Sequence, residues 1–445
     1  MARGLRDEFR PMLSLAAPVV IAEVGWVTMG IVDTLMVGPL GAAAIGAVGL
    51  ASMLFFAVAV FAMGLLLGLD PLVAQAYGAR RIDDCHRWLI DGLWLSALIS
   101  IPLVGCVLAV SASLPAWGIA ADVLALAQPY LTILAWTLPF LLLYAAFRRY
   151  LQGMGVVRPV TVALIFANVI NLVANWLLIY GRFGAPAMGV RGSAYSTLVS
   201  RALMVVFLWA VIRRRERDTQ PPLGDAPLAL DWPRLRRLVR LGLPAAGQAT
   251  LEVGVFAAAT ALAGRLSAGA LAAHQIALNM AALTFMVPFG VASAGAVRVG
   301  HAVGRRDPRG VSRAGWMALL IGAAFMSAAA AVFLSMPRVL GGAFTRDPAV
   351  VEVGAALLFV AAVFQLFDGL QGVATGILRG LGDTRTPMLW NLAGHWVLGL
   401  PLGYTLCFVA GLGVTGLWWG LSAGLIVCGV ALVIAWACAT GSPFP

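Results

Sequence analysis

Apolar runs, each near the roughly 20 residues needed to cross a bilayer, alternate along the whole chain with short polar breaks. Twelve spans are expected, over residues 13–37, 43–68, 88–112, 127–151, 158–180, 187–212, 238–263, 270–295, 313–337, 350–378, 386–409 and 412–437. The longest polar stretch, 213–237, mixes prolines and charges without an apolar period, as a linker does. The pattern predicts an all-α polytopic membrane protein of twelve transmembrane helices in two pseudo-symmetric six-helix lobes. The expected division is an N-terminal lobe over 1–215, a cytoplasmic linker over 216–237 and a C-terminal lobe over 238–445.

The two halves repeat one another. At an offset of 226, Pro18 meets Pro244, Gly38 meets Gly264, Gly64 meets Gly290, Gly78 meets Gly304 and Arg80 meets Arg306. At 227, Leu151-Gln152-Gly153-Met154-Gly155 meets Leu378-Arg379-Gly380-Leu381-Gly382. Small drift of this kind fits duplicated units with loop-length changes. Six spans per half is an even number, so both copies cross in the same direction, as parallel repeats do. Gly64, Gly290, Gly153 and Gly380 are read as packing or capping residues. Pro18 and Pro244 are expected to start or kink spans 1 and 7.

Composition agrees with the pattern: 61% of the 445 residues are apolar and 11% are charged, which argues against a soluble protein. All 30 basic residues are arginine, and the net charge is +11. Such a charge could indicate nucleic acid. Here, however, 24 arginines lie in the N-terminus and the even-numbered loops and five in the odd-numbered ones. That alternation is the positive-inside signature of orientation, and it places both termini in the cytoplasm. No nucleic-acid partner is expected. The first span, which contains Glu23 and Asp33, is too long for a signal-peptide core and is read as an uncleaved helix. The five cysteines have no metal or disulfide spacing, and four of them read as small apolar filler, with Cys85 in a loop.

An acid at membrane depth costs a few kcal/mol and usually has a task. Glu23, Asp33, Glu252 and Asp368 sit inside spans, whereas Asp70, Asp91 and Glu352 lie near span ends and are expected to be solvated. In the repeat Asp33 aligns with Ala259, and Glu252 with Trp26, so these acids are additions to the scaffold. Few basic residues within the spans could pair with them. Gln248 and Glu252 share a helix face, as do Asp368, Gln371 and Thr375. Asn168, Asn171 and Asn175 fall on one side of span 5. Amide oxygens beside a carboxylate suit a hard cation, or a proton exchanged with it, while interhelical hydrogen bonding is the structural alternative for the asparagines. His395 is read as a satisfied polar contact rather than a proton relay. The 15 Met, 20 Phe and 14 Trp could pack around varied organic cations, although most must face lipid or neighbouring helices. Trp26, near Asp33 and Glu23, is a weak candidate for the substrate cavity, together with Gln248 and Gln371.

Several segments resemble the multidrug and toxic compound extrusion (MATE) family and its NorM-like bacterial branch. They are Val32-Asp33-Thr34-Leu35-Met36-Val37-Gly38, Ala74-Gln75-Ala76-Tyr77-Gly78-Ala79, Glu252, the AAHQIALN of 272–279, Val297-Arg298-Val299-Gly300-His301, and the run from Phe367-Asp368 through Leu378-Arg379-Gly380. In order, on twelve spans, they cover nearly the whole chain. The resemblance implies a two-lobed transporter of the bacterial inner membrane. It implies export of amphipathic, often cationic drugs and dyes in exchange for H+ or Na+. It places cation or proton coupling on Asp33, Asn171, Asn175 and Thr197 in the N-lobe, with Na+ conceivable at Asp33, Asn171 and Asn175, and on Glu252 and Asp368 in the C-lobe. Some Na+-coupled members carry a tyrosine one turn before the span-10 acid. Phe364 stands there in this chain and has no side-chain oxygen, which weakens a C-lobe Na+ site. Glu23 stands where the family more often has a glutamine. No cofactor is expected. The expected state is a monomer in contact with membrane lipid.

Two other readings are weighed. A lipid-linked precursor flippase of related architecture would need a strongly cationic cavity, yet away from their ends the spans hold Arg201 and little else. A membrane-embedded enzyme would need a nucleophile with its base, or a metal cluster, and no such grouping appears.

Overall fold

The computed structural model describes residues 2–215, 217 and 222–441, so part of the expected linker, at 216 and 218–221, lies outside the described residues. Among the described residues the chain is helix and turn throughout. In the first half the helices are α1 (Ala2–Val37), α2 (Ala42–Leu66), α3 (Leu69–Gly78), α4 (Ile82–Ser113), α5 (Ala121–Ala135), α6 (Leu138–Gly153), α7 (Arg158–Tyr180) and α8 (Val190–Arg215). In the second half they are α9 (Trp232–Gly264), α10 (Ala268–Gly304), α11 (Pro308–Ser335), α12 (Pro337–Gly342), α13 (Pro348–Leu381), α14 (Arg385–Asn391), α15 (Leu400–Tyr404) and α16 (Gly413–Gly441).

Among the described residues eleven helical stretches are long and apolar enough to cross a membrane, and α5 with α6 makes a twelfth, bent by 45°. The chain is a multi-pass membrane protein. Pro139 accounts for the bend. It has no N–H to give the Ala135 carbonyl, and the N–H groups of Trp136 and Thr137 turn back three residues, to Ile133 (3.1 Å) and Leu134 (2.9 Å). From α14 to α16 the backbone widens twice into π-helix, over Leu392–Gly399 and Thr405–Val409. There Gly394 and Gly403 lie against Gly424 and Gly420 of α16, a small-residue contact typical of membrane helices.

The helices form two compact units. One comprises Ile21–Ala246, the other Met1–Val20 with Gly247–Pro445. Helices α1 and α9 therefore each leave one unit for the other. Both do so two residues beyond a proline, Pro18 and Pro244, which the repeat makes equivalent. These prolines lie deep within their helices rather than starting them, and each removes one backbone hydrogen bond where the helix changes unit. The close approaches follow the same symmetry. A side chain at Gly64 would meet the Ala246 backbone at 2.6 Å, and one at Gly290 would meet the backbone of Val20.

The repeat extends to its turns. Arg80 and Arg306 are both left-handed, with φ of 58° and 57°. Around them the Arg80 and Arg306 N–H groups bond Tyr77 and Val303, while those of Arg81 and Asp307 bond Ala76 and Ala302. Gly155 and Gly382 close the other duplicated turn, at φ of 78° and 95°.

Two acids expected to be solvated are buried instead. Asp70 faces Arg149 at 3.5 Å, and Asp91 faces Arg234 at 2.8 Å. Asp70 in the first turn of α3 is covered by α6, and Asp91, ten residues into α4, by the start of α9, so in each case an arginine of the same unit replaces water. Glu352 is exposed and pairs with Arg338 at 3.0 Å. Cys85 lies within α4, buried, not in a loop.

Candidate functional site

In the unit of Ile21–Ala246 three helices converge on Asp33. It sits near the end of α1, 7% exposed. From α7, Asn175 and Asn171 donate their amide N–H groups to its Oδ1 at 2.7 and 3.1 Å. From α8, the Thr197 hydroxyl donates to Oδ2 at 3.1 Å. The four-residue spacing of the asparagines puts them on successive turns of one face. They are also joined to each other, Asn175 Nδ2 to Asn171 Oδ1 at 3.1 Å. Asn168, the third member of that face, bonds instead to the backbone oxygens of Gly25 and Leu164, at 3.0 and 2.9 Å.

Sequence reasoning missed the shell behind these four residues. The Ser196 hydroxyl donates to the Asn171 carbonyl at 2.8 Å and holds that turn. Arg201, one turn beyond Thr197, donates to Thr137 at the α5–α6 bend and lies 5.6 Å from the Trp26 ring and 4.9 Å from the Phe55 ring. Its guanidinium is within electrostatic reach of Asp33. The spacing Ser193, Thr197, Arg201 on one helix face was the available signal.

In the other unit Glu252 of α9 and Asp368 of α13 line one cavity of about 280 Å³. Among the described residues its remaining wall is apolar and aromatic, including Phe256, Phe285 and Phe364, with His274 and the Trp418 indole N–H as further polar groups. Asp368 is buried and Glu252 half-buried. Among the described residues neither carboxylate receives a hydrogen bond, in contrast to Asp33. Gln248 does not reach the acids. It donates to Thr375 at 3.3 Å and so joins the two polar faces of α9 and α13. Gln371 is buried, and its Oε1 finds no partner among the described residues. His395 is also buried without a partner for Nε2, so the expected satisfied contact is not formed at that atom.

Glu23 does not join the Asp33 cluster of its own unit. Half-buried, it forms an ion pair with the buried Arg148 of α6, a partner that reading the spans for mid-membrane cations did not supply. Trp26 stacks on Tyr144 with ring centres 6.2 Å apart, so part of its surface is taken by its own unit.

A family-wide sequence profile, MatE, matches the chain twice, over residues 18–177 and 244–405. The two matches begin 226 residues apart, the offset of the internal repeat. The chain is 39% identical over 439 residues to a probable multidrug resistance protein NorM of Mesorhizobium japonicum, covering 97% of this chain and 94% of that one. It is 38% identical over 431 residues to the multidrug resistance protein NorM of Burkholderia vietnamiensis, covering 95% and 92%. Among solved structures, a eukaryotic MATE transporter, AtDTX14, superposes with a TM-score of 0.87 at 22% identity, over 98% of both chains. A multidrug resistance MATE family transporter in an outward-facing conformation superposes with a TM-score of 0.88 at 20% identity, over 99% of this chain and 97% of that one. At such identity these structures speak for the fold alone.

Proposed function

The chain belongs to the MatE family, and from that premise we propose that it is a cation-coupled multidrug efflux antiporter. On this reading it exports amphipathic, often cationic organic compounds in exchange for H+ or Na+ by alternating access. It works as a monomer in the bacterial inner membrane, with both termini in the cytoplasm. The observation that carries the reading is the pair of membrane-depth acid centres, one in each unit and each of a different chemistry.

The aromatic cavity supports the exchange step. Glu252 and Asp368 supply negative charge, and the rings around them suit the flat or quaternary faces of organic cations. A proton or cation entering from outside neutralises the acids and releases the drug. Once the ion leaves inward, the charge is free to attract the next cation. Such exchange requires that ion and drug differ in affinity for the two access states.

The cavity wall favours H+ over Na+ at this centre. A hard cation gathers several oxygen ligands. Beyond the two carboxylates the lining side chains offer carbon, thioether, indole and imidazole, and Phe364 presents no oxygen. At Asp33 the Thr197 hydroxyl oxygen is at hand, but Asn171 and Asn175 turn their N–H groups to the carboxylate, so Na+ there would need both amides to turn over.

The test is efflux of a cationic dye from proteoliposomes, under an imposed pH gradient and separately under an imposed Na+ gradient. Efflux driven by the pH gradient is expected. Efflux driven by Na+ alone would move coupling to the Asp33 centre, and none under either gradient would overturn the antiporter reading in favour of the flippase.

A further inference from the structure

The cavity of the Gly247–Pro445 unit contains a hydrogen-bonded chain that the two acids do not use. Trp418 of α16 donates its indole N–H to His274 Nδ1 at 2.9 Å. His274 Nε2, on α10, lies 3.0 Å from the Thr260 hydroxyl of α9. Thr260 in turn donates to the Phe256 carbonyl at 2.9 Å.

The direction of this chain follows from its ends. An indole nitrogen only donates, so Nδ1 must accept. Were Nε2 also to accept, the ring would be an imidazolate. Nε2 therefore carries the proton and gives it to Thr260 Oγ1, whose own hydrogen is committed to Phe256. Each donor has one acceptor, and His274 is held as the Nε2–H tautomer with no free lone pair. It therefore has no site at which to take a proton from the cavity while Trp418 is in place.

What the chain does is hold Trp418. The indole meets the imidazole edge-on, with centres 5.8 Å apart at 78°, and rests against Phe364 with centres 5.9 Å apart. Both rings belong to the wall that faces Glu252 and Asp368. With its N–H fixed, the indole has one orientation, and so do the shape of the wall and the π-face it offers to a cation. We propose that His274 is a positioning residue that sets the organic-cation selectivity of this cavity through the orientation of Trp418. The proposal rests on the antiporter reading above.

The test compares His274→Leu, which removes the acceptor at similar bulk, Trp418→Phe, which removes the donor, the double variant, and His274→Asn, whose amide oxygen can stand where Nδ1 stood. KM and Vmax per inserted protein are measured in proteoliposomes for ethidium, a planar cation, and tetraethylammonium, a small one. Ethidium binding to the detergent-solubilised protein is measured in parallel. His274→Leu and Trp418→Phe should each raise the ethidium KM about three- to tenfold, the range for one lost hydrogen bond, with a smaller change for tetraethylammonium and little change in Vmax. The double variant should be no worse than either single one, and His274→Asn should recover most of the loss.

A fall in Vmax alike for both cations with KM intact would overturn the proposal, as would strictly additive effects. If His274→Leu does not insert, Trp418→Phe and His274→Asn decide: an unchanged KM ratio in Trp418→Phe overturns the idea. A wild type that moves neither cation defeats the antiporter reading. The ethidium dissociation constants of the same variants then still test the positioning role.

Discussion

Replacing Asp33 by asparagine separates the charge of its centre from its hydrogen bonds. Three side-chain donors converge on the carboxylate, from Asn175 at 2.7 Å and from Asn171 and Thr197 at 3.1 Å. An amide oxygen can still accept from both asparagines. The new NH2 can face Thr197, whose hydroxyl already has the Ser193 carbonyl at 3.2 Å as an acceptor. Hydrogen bonds to an ionised group are worth about 1.5–3 kcal/mol and neutral ones about 0.5–1.5 kcal/mol, so three bonds together weaken by roughly 3–4 kcal/mol. The variant also no longer holds a charge at membrane depth, which costs about 2.5–3.5 kcal/mol. The two effects nearly cancel, and Asp33→Asn should remain within about 1–2 kcal/mol of the parent. Asp33→Ala offers no oxygen. It strands one buried N–H on each of Asn171 and Asn175, while the Thr197 hydroxyl keeps the Ser193 carbonyl; at about 1–3 kcal/mol per stranded donor it should be less stable than Asp33→Asn by at least about 2 kcal/mol. Thermal unfolding of the detergent-solubilised variants measures the contrast, and gradient-driven dye efflux measures the function. Asp33→Asn should keep the fold and lose coupled efflux. Equal instability of the two variants would refute the cancellation, and wild-type efflux from Asp33→Asn would remove the residue from coupling.

Other positions separate the remaining roles. Asp368→Asn should insert and unfold like the parent yet lose gradient-driven efflux in the same dye assay; full activity would take Asp368 out of the mechanism. Glu23→Gln leaves the buried Arg148 charge unpaired and should cost about 3–5 kcal/mol, most of it recovered by adding Arg148→Met; a neutral single variant in thermal unfolding would show that the pair contributes nothing. Gly64→Val would press a side chain onto the Ala246 backbone and should lower stability by about 1–3 kcal/mol, whereas Gly30→Ala, inside α1 with open space around it, should raise it by roughly 0.5–1 kcal/mol in the same thermal unfolding assay. Arg80→Gly and Arg306→Gly relieve left-handed arginines, and each should raise the unfolding free energy by roughly 0.5–1 kcal/mol; a loss would mean that the side chains do more than occupy the turn.

The legible part of the fold was periodic. Long apolar runs anticipated the spans, and an offset of 226 anticipated the equivalence of Arg80 with Arg306 and the close packing at Gly64 and Gly290. The Asn171–Asn175 spacing anticipated one face, and that face does meet Asp33. Contacts between distant segments have no such period. Nothing in the local sequence of Glu23 points to Arg148, 125 residues away, and nothing beside His274 points to Trp418, 144 residues away. Proximity to a span end was read as exposure for Asp70 and Asp91, but whether a helix end meets water depends on what packs over it. Arg149 and Arg234 do so here. The α5–α6 bend was hidden because hydropathy continues smoothly through Trp136 and Thr137 while hydrogen bonding does not.

The duplication also marks where the halves depart from their common scaffold. Where one half has Asp33 the other has Ala259, wholly buried as core. Where one half has Glu252 the other has Trp26, stacked on Tyr144. The scaffold alone therefore calls for no acid at either place. The two centres then differ in how their charge is met. Around Asp33, fixed donors from α7 and α8 meet it, so the carboxylate already has its partners before any ion arrives. Around Glu252 and Asp368 no donor is fixed among the described residues and the wall is largely carbon. A charge there goes unmet until something enters the cavity to meet it, since an unpaired charge at that depth is costly. A proton and an organic cation can each do so, and each makes the other unnecessary. Mutual exclusion at one pair of acids is what an exchanger requires. On the reading proposed here, the unsatisfied C-terminal pair is therefore where drug and ion compete, while Asp33, already bonded, responds to whichever of the two access states its helices adopt.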